Sequence, residues 1–172
     1  LPGRPYPERS TAADLWFQHL ALVTSDAAAA WAQAEAAGAV PISPDGAVTL
    51  PEIAGRITAV KFRDPEGHPL EFIQFPDAAA KGWPGQGMLG IDHSAISVAD
   101  AGASRRFYEG LGLRIGDTSL NHGPAQVALD GLDEVEVDVG SMQHIPTPPH
   151  LKLLAYRTPR GRSAGALLTW VR

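Results

Sequence analysis

The sequence contains no cysteine, so any chemistry must come from His, carboxylates, hydroxyls, Lys, Arg or a bound metal. Two histidines and one glutamate are best placed for it. His19 lies in LWFQHLALVT (15–24), an apolar and aromatic run that reads as a strand, and Glu71 lies in PLEFIQF (69–75), which reads as another. Side chains alternate faces along a strand, so Phe17, His19 and Ala21 share a face, as do Pro69, Glu71 and Ile73. Each polar group therefore stands among apolar neighbours. It costs free energy there unless it finds a partner, and a metal can be that partner. His93, in GIDHSAISV (90–98), is the counterpart of His19 in a second, similar segment, and Lys152 in HLKLL is the counterpart of Glu71 in HPLEF. Two histidines and a carboxylate on separate strands can form a facial triad with open coordination positions, which suits a divalent metal acting on an oxygen-rich substrate. The same residue types also serve as hydrogen-bonded structural groups. Asn121 and His122 fall in a loop between strands, where binding residues collect, which makes His122 a candidate pocket residue. There is no phosphate-binding Gly loop, Ser-His-Asp pattern or nucleotide fingerprint.

The elements that must position these residues come in a repeated order. After the first strand, Asp26 precedes AAAAWAQAEAAG, a helix that Asp26 can cap and Gly38 can end. AVPIS, ITAVKF (57–62) and PLEFIQF follow as strands, with the turn DPEG (64–67) before the last. Residues 77–89, rich in Gly and Pro, read as a linker. The order then begins again: GIDHSAISV, Asp100, the helix AGASRRFYEGLG, and the strand candidates RIGDTSL, PAQVALDG, EVEVDVG and HLKLLAYR (150–157). FQHLALVTSDAAAA and GIDHSAISVADAGA match by eye, a sign of internal duplication. The expected organisation is a connector (1–14), a first module (15–76), the linker, a second module (90–158) and a tail (159–172) that includes the strand candidate ALLTWVR. The expected class is α+β with mainly antiparallel pairing. Phe107 and Tyr108 are expected in the core, with Arg105 and Arg106 on a solvated face.

The chain is 172 residues long, 44% hydrophobic and 19% charged, enough for a buried core. Its net charge of -5 argues against nucleic-acid binding, which needs a basic face. No apolar run approaches the roughly 18 residues that a membrane span needs. No signal-peptide pattern is present, so the expected location is cytoplasmic. The first residue is Leu, and the expectation is that the chain starts inside a longer one.

Together, HLALVTSD with the helix end AEAAG, VKFRDPEGHPLEF, IDHSAISVADAGASRRFYEGLGL and HLKLLAYR resemble the vicinal oxygen chelate superfamily. That superfamily includes glyoxalase I, the bleomycin-resistance proteins and the extradiol dioxygenases. The resemblance covers roughly residues 16–157. It implies two βαβββ modules with curved mixed sheets closing around a cleft, and metal ligands on the first and last strands of each module. Carried over by position, these are His19, Glu71 and His93, with Lys152 in the fourth place. The implied activity is that of a metal-dependent glyoxalase- or dioxygenase-type enzyme. Iron, manganese, nickel or zinc would chelate a small substrate through two oxygens, and Glu71 would double as a catalytic proton shuttle. Lys152 departs from the pattern, because an ammonium cannot ligate a metal. It supports an alternative: a non-catalytic small-molecule binding protein of the bleomycin-resistance type, with Lys152 in the cleft paired to Glu71. A homodimer is implied because two-module relatives often build clefts between chains. Module order is a second departure. FYEGLGL usually marks the first module and RDPEGHPLEF usually closes the second, and here they are reversed. That order leads to the expectation that His19 with Glu71, and His93 with Lys152, belong to different clefts.

Overall fold

A computed structural model describes residue 7 and residues 9–163. The strand candidate ALLTWVR and most of the N-terminal connector lie outside the described residues. The first strand, β1 (Gln18–Thr24), leads into α1 (Ala27–Ala36). The Asp26 side chain caps that helix by accepting from the Ala29 N–H at 2.9 Å. Two short strands, β2 (Val40–Pro41) and β3 (Val48–Thr49), precede β4 (Thr58–Arg63) and β5 (Pro69–Gln74). The second half starts with β6 (Met88–Ser97) and α2 (Ala101–Gly110), and Asp100 caps α2 in the same way, through the Ala103 N–H at 2.8 Å. It continues through β7 (Arg114–His122), α3 (Pro124–Asp130), β8 (Glu136–Gln143) and β9 (His150–Thr158).

Among the described residues all nine strands belong to one sheet, with β2-β4-β5-β1-β6-β9-β8-β7 in order and β3 also on β4. Each half sets its first and last strands side by side in parallel, β1 with β5 and β6 with β9. The free edges of β1 and β6 then pair antiparallel from Gln18↔Ile96 to Thr24↔Met88, which joins the halves. This corrects the expectation of curved sheets closing around a cleft. Among the described residues the sheet is open, and its outermost strands β2 and β7 do not pair. The sequence of β2 supplies a reason. The strand has only two residues and one is Pro41, so it offers little ladder for the nine-residue β7 to join.

The sheet has two differently filled faces. Under α1, Trp31, Val60, Phe62 and Phe72 form an aromatic cluster. On the opposite face Ala21, Val23, Leu50, Ala59 and Ile73 gather around Leu129 of α3. The segment PAQVALDG was expected as a strand and is instead this helix. Pro124 stands in its first turn, and Gly131 takes the left-handed conformation (φ 62°) that ends it. Gln126, Leu129 and Asp130 are buried, a spacing that favours a helix over an alternating strand. A Cβ at Gly131 would collide with the Ile42 carbonyl, so the turn also needs glycine for space. The connector region ends in an ordered clasp. Asp14 is buried, and Arg162 donates to both of its oxygens, at 3.0 and 2.7 Å.

Candidate metal centre

The four central strands β5, β1, β6 and β9 carry Glu71, His19, His93 and Lys152 in turn. The register places Ala21 opposite both Glu71 and His93, and side chains opposite one another share a face. His19, two residues before Ala21, shares that face too. The three side chains meet there: His19 Nε2 lies 3.1 Å from Glu71 Oε2 and 3.3 Å from His93 Nε2, and His93 Nε2 lies 3.5 Å from Glu71 Oε2. All three residues are buried, at 5% exposure or less. The pairs expected in different clefts therefore contribute to one cluster.

Lone pairs dominate this cluster. His93 Nδ1 lies 2.7 Å from Asp92 Oδ2, and in the tautomer that donates there Nε2 turns its lone pair to the others. His19 can place one proton between the three atoms, on its own Nε2. Its Nδ1 is buried without a hydrogen-bond partner among the described residues. Glu71 contributes a carboxylate. Burial would raise its pKa, but the neighbouring His19 ring and the charge of Lys61 outweigh this and hold it well below the usual carboxylate range. For His19, burial dominates and pushes the pKa down to about 4, so the ring is neutral near pH 7. Two imidazole nitrogens and a carboxylate oxygen, with one proton among them, form a donor set for a divalent cation. With bonds of about 2.0–2.2 Å, neighbouring ligand atoms on such an ion stand about 2.8–3.6 Å apart. The observed separations fall in that range, so the residues fit a metal.

A β-bulge makes the arrangement possible. Ala21 pairs with His93 and Leu22 with Ile91, so Asp92 is an extra residue on β6. Strict alternation would aim Asp92 away from His93, and the bulge turns its carboxylate to His93 Nδ1. A carboxylate behind a ligating histidine fixes the ring's tautomer and orientation. Sequence reasoning missed Asp92. The adjacent Asp-His pair was the available signal, and alternation argued against it. Reasoning also missed Lys61, which is buried opposite Glu71 in the register and bonds Asp130 of α3 at 2.6 Å. Asp130 in turn accepts from Gln126 and Tyr156, both at 2.9 Å. Burial opposes the Lys61 charge, but Asp130 and Glu71 outweigh it, and the lysine pKa is raised.

Lys152 lies on β9, with Nζ 3.9 Å from Asp92 Oδ2; its close carboxylate is Asp92 rather than Glu71. It lines a cavity of about 610 Å³ together with Asp92 and His150, with Ile57, Phe75 and Trp83 on the apolar side. Asn121 and His150 also line this cavity, and each carries a buried atom without a partner among the described residues, Oδ1 and Nδ1 respectively. His122 is exposed at the end of β7 and is not among the lining residues. No helix among the described residues is long and apolar enough to cross a membrane.

No protein-family model and no curated protein sequence matches the chain. Solved structures do. Methylmalonyl-CoA epimerase from Mycobacterium tuberculosis matches with a TM-score of 0.56 at 16% identity, covering 86% of this chain and 93% of that one. A methylmalonyl-CoA epimerase in complex with methylmalonyl-CoA and NH4+ gives 0.55 at 16% identity, with 88% and 98% covered. A glyoxalase I mutant from Zea mays gives 0.55 at 13% identity; the match covers 81% of this chain and 42% of the maize chain. The chain thus shares its fold with methylmalonyl-CoA epimerase and glyoxalase I.

Proposed function

We propose that the protein is a metal-dependent enzyme of the glyoxalase and dioxygenase type, acting on a small substrate that presents two neighbouring oxygens. The observation that carries this reading is the buried triangle of His19 Nε2, Glu71 Oε2 and His93 Nε2, whose spacing and shortage of protons suit a divalent cation. The related folds of glyoxalase I and methylmalonyl-CoA epimerase support it. His19, Glu71 and His93 would hold iron, manganese, nickel or zinc. A metal bound there would act as a Lewis acid on the substrate's oxygens. Glu71 would take a proton from the substrate and return it. Asp92 holds His93 in the ligating tautomer. Asn121, His150 and Lys152 offer hydrogen bonds and a positive charge to a polar substrate, and Phe75 and Trp83 offer an apolar wall. A purely non-catalytic binding role would have Lys152 neutralise Glu71, but Lys152 stands beside Asp92 instead.

Elemental analysis of protein purified without chelator, followed by calorimetric titration with the four metals, tests the reading. Close to one equivalent per chain is expected, with loss of uptake in His19→Ala and in Glu71→Gln. Less than about a tenth of an equivalent, with no uptake of any of the four metals, would overturn it.

A further inference from the structure

The two halves of the chain pack helix on sheet differently, and the difference opens a second cavity. Counted from the capping residues Asp26 and Asp100, Trp31 of α1 and Arg105 of α2 hold the same helical position. The register identifies the residues beneath them. Val60 lies opposite Phe72, which follows Glu71, and Gly140 lies opposite Leu153, which follows the equivalent Lys152. In the first half Trp31, Val60, Phe62 and Phe72 fill the space, with ring centroids 5.6 Å (Trp31–Phe62) and 4.6 Å (Phe62–Phe72) apart. In the second half Arg stands for Trp, Gly for Val and Leu for Phe. As a result α1 buries Ala27, Ala30 and Trp31, whereas α2 buries no residue.

The unfilled space is a cavity of about 490 Å³, within the usual range for small-molecule sites. Ile115, Leu120, Gly140 and Leu153 give it an apolar lining, and Arg105 and Asp138 stand at its polar side. Leu153 and Lys152 point to opposite faces of β9, so this cavity lies on the other side of the sheet from the metal centre. Its charges are unequally engaged. Arg157 holds both oxygens of Asp138, at 2.6 and 2.7 Å. Arg105 uses Nε–H toward Glu109 at 2.7 Å, which among the described residues leaves its two terminal nitrogens as donors.

We propose that this cavity is a second ligand site, built for a small amphiphilic anion whose apolar body lies over Leu153 and Gly140 and whose anionic head meets Arg105. Two fluorescent probes of similar shape test it on the full chain: 1-anilinonaphthalene-8-sulfonate, an anion, and N-phenyl-1-naphthylamine, which is uncharged. The native protein is expected to bind the anion more tightly. Gly140→Val restores the side chain of the first half. A Cβ there meets only Ile115 Cδ1, the tip of a flexible side chain, at 3.2 Å. It is expected to weaken binding of both probes about tenfold or more while melting no lower than the native protein. Arg105→Glu, at a half-exposed position, is expected to weaken the anion about fivefold or more and leave the uncharged probe unchanged. Absence of binding to the native protein would overturn the proposal, as would native affinity for the anion in both variants. Should Gly140→Val melt lower, Arg105→Glu decides by charge preference alone.

Discussion

His19 is buried in its neutral form, and that makes the metal-free protein sensitive to acid. Its folded pKa of about 4 lies below the ordinary 6.5, so between these values the unfolded chain binds more protons than the folded one. The stability this group contributes is complete above pH 6.5 and is lost as pH falls toward 4, by up to about 3 kcal/mol. Glu71, also depressed, adds a loss in the same direction below the usual carboxylate range. Urea unfolding of the metal-free protein at pH 7 and pH 4.5 should show this drop, and His19→Gln should flatten it; an unchanged pH slope in that variant would contradict the assignment. Asp92 makes a separate prediction. Asp92→Ala removes the acceptor behind His93 and should lower metal affinity about 10- to 100-fold, read by calorimetry, whereas unchanged affinity would remove its positioning role. His19 and Glu71 stood out in the sequence because each interrupts an apolar face on a strand, and His93 stood out as the counterpart of His19. Asp92 did not, because its orientation depends on a bulge that appears only in the pairing of β6 with β1.

Among the elements, α3 carries most of what the sequence concealed. A seven-residue helix bounded by Gly123 and Gly131 gives too short an apolar pattern to separate helix from strand. Its role is to seat Asp130 on Lys61 and the Leu129 carbonyl on the Ser43 hydroxyl, at 2.6 and 2.7 Å, so that the second half is anchored to the first. The ion pair is buried on both sides, 5% and 0% exposed. Breaking one partner of such a pair costs more than the pair itself contributes, because a buried charge is left behind. Asp130→Ala should destabilise the protein by about 3–5 kcal/mol in chemical denaturation. A loss under about 1 kcal/mol would show that α3 is held by its apolar contacts instead. The helices α1 and α2 were readable from their capping aspartates, and the caps form at both. What the caps do not report is packing depth. Phe107 was expected in the core and is 62% exposed, because α2 stands off a sheet face that has glycine and leucine where α1 meets valine and phenylalanine.

For the molecule as a whole, two modules could be read from the repeated strand-helix-strand order, but the way they join could not. Periodicity says which face of a strand is buried and nothing about which edge finds which neighbour. The pairing of β1 with β6 merges the halves into one sheet, and α3 adds a second link across them. The protein should therefore unfold in one cooperative step, with calorimetric and van't Hoff enthalpies equal; two resolved transitions would show the halves to be independent. The seam between β1 and β6 also divides the candidate metal centre unequally. Two of its three side chains stand on strands of the first half and one on a strand of the second, so neither half alone holds the set. Each half is therefore under a different constraint. Under the proposed function the first half must keep both His19 and Glu71, whereas the second needs only His93. At the position on β9 that answers to Glu71, Lys152 places a cation beside Asp92, the residue bonded to His93.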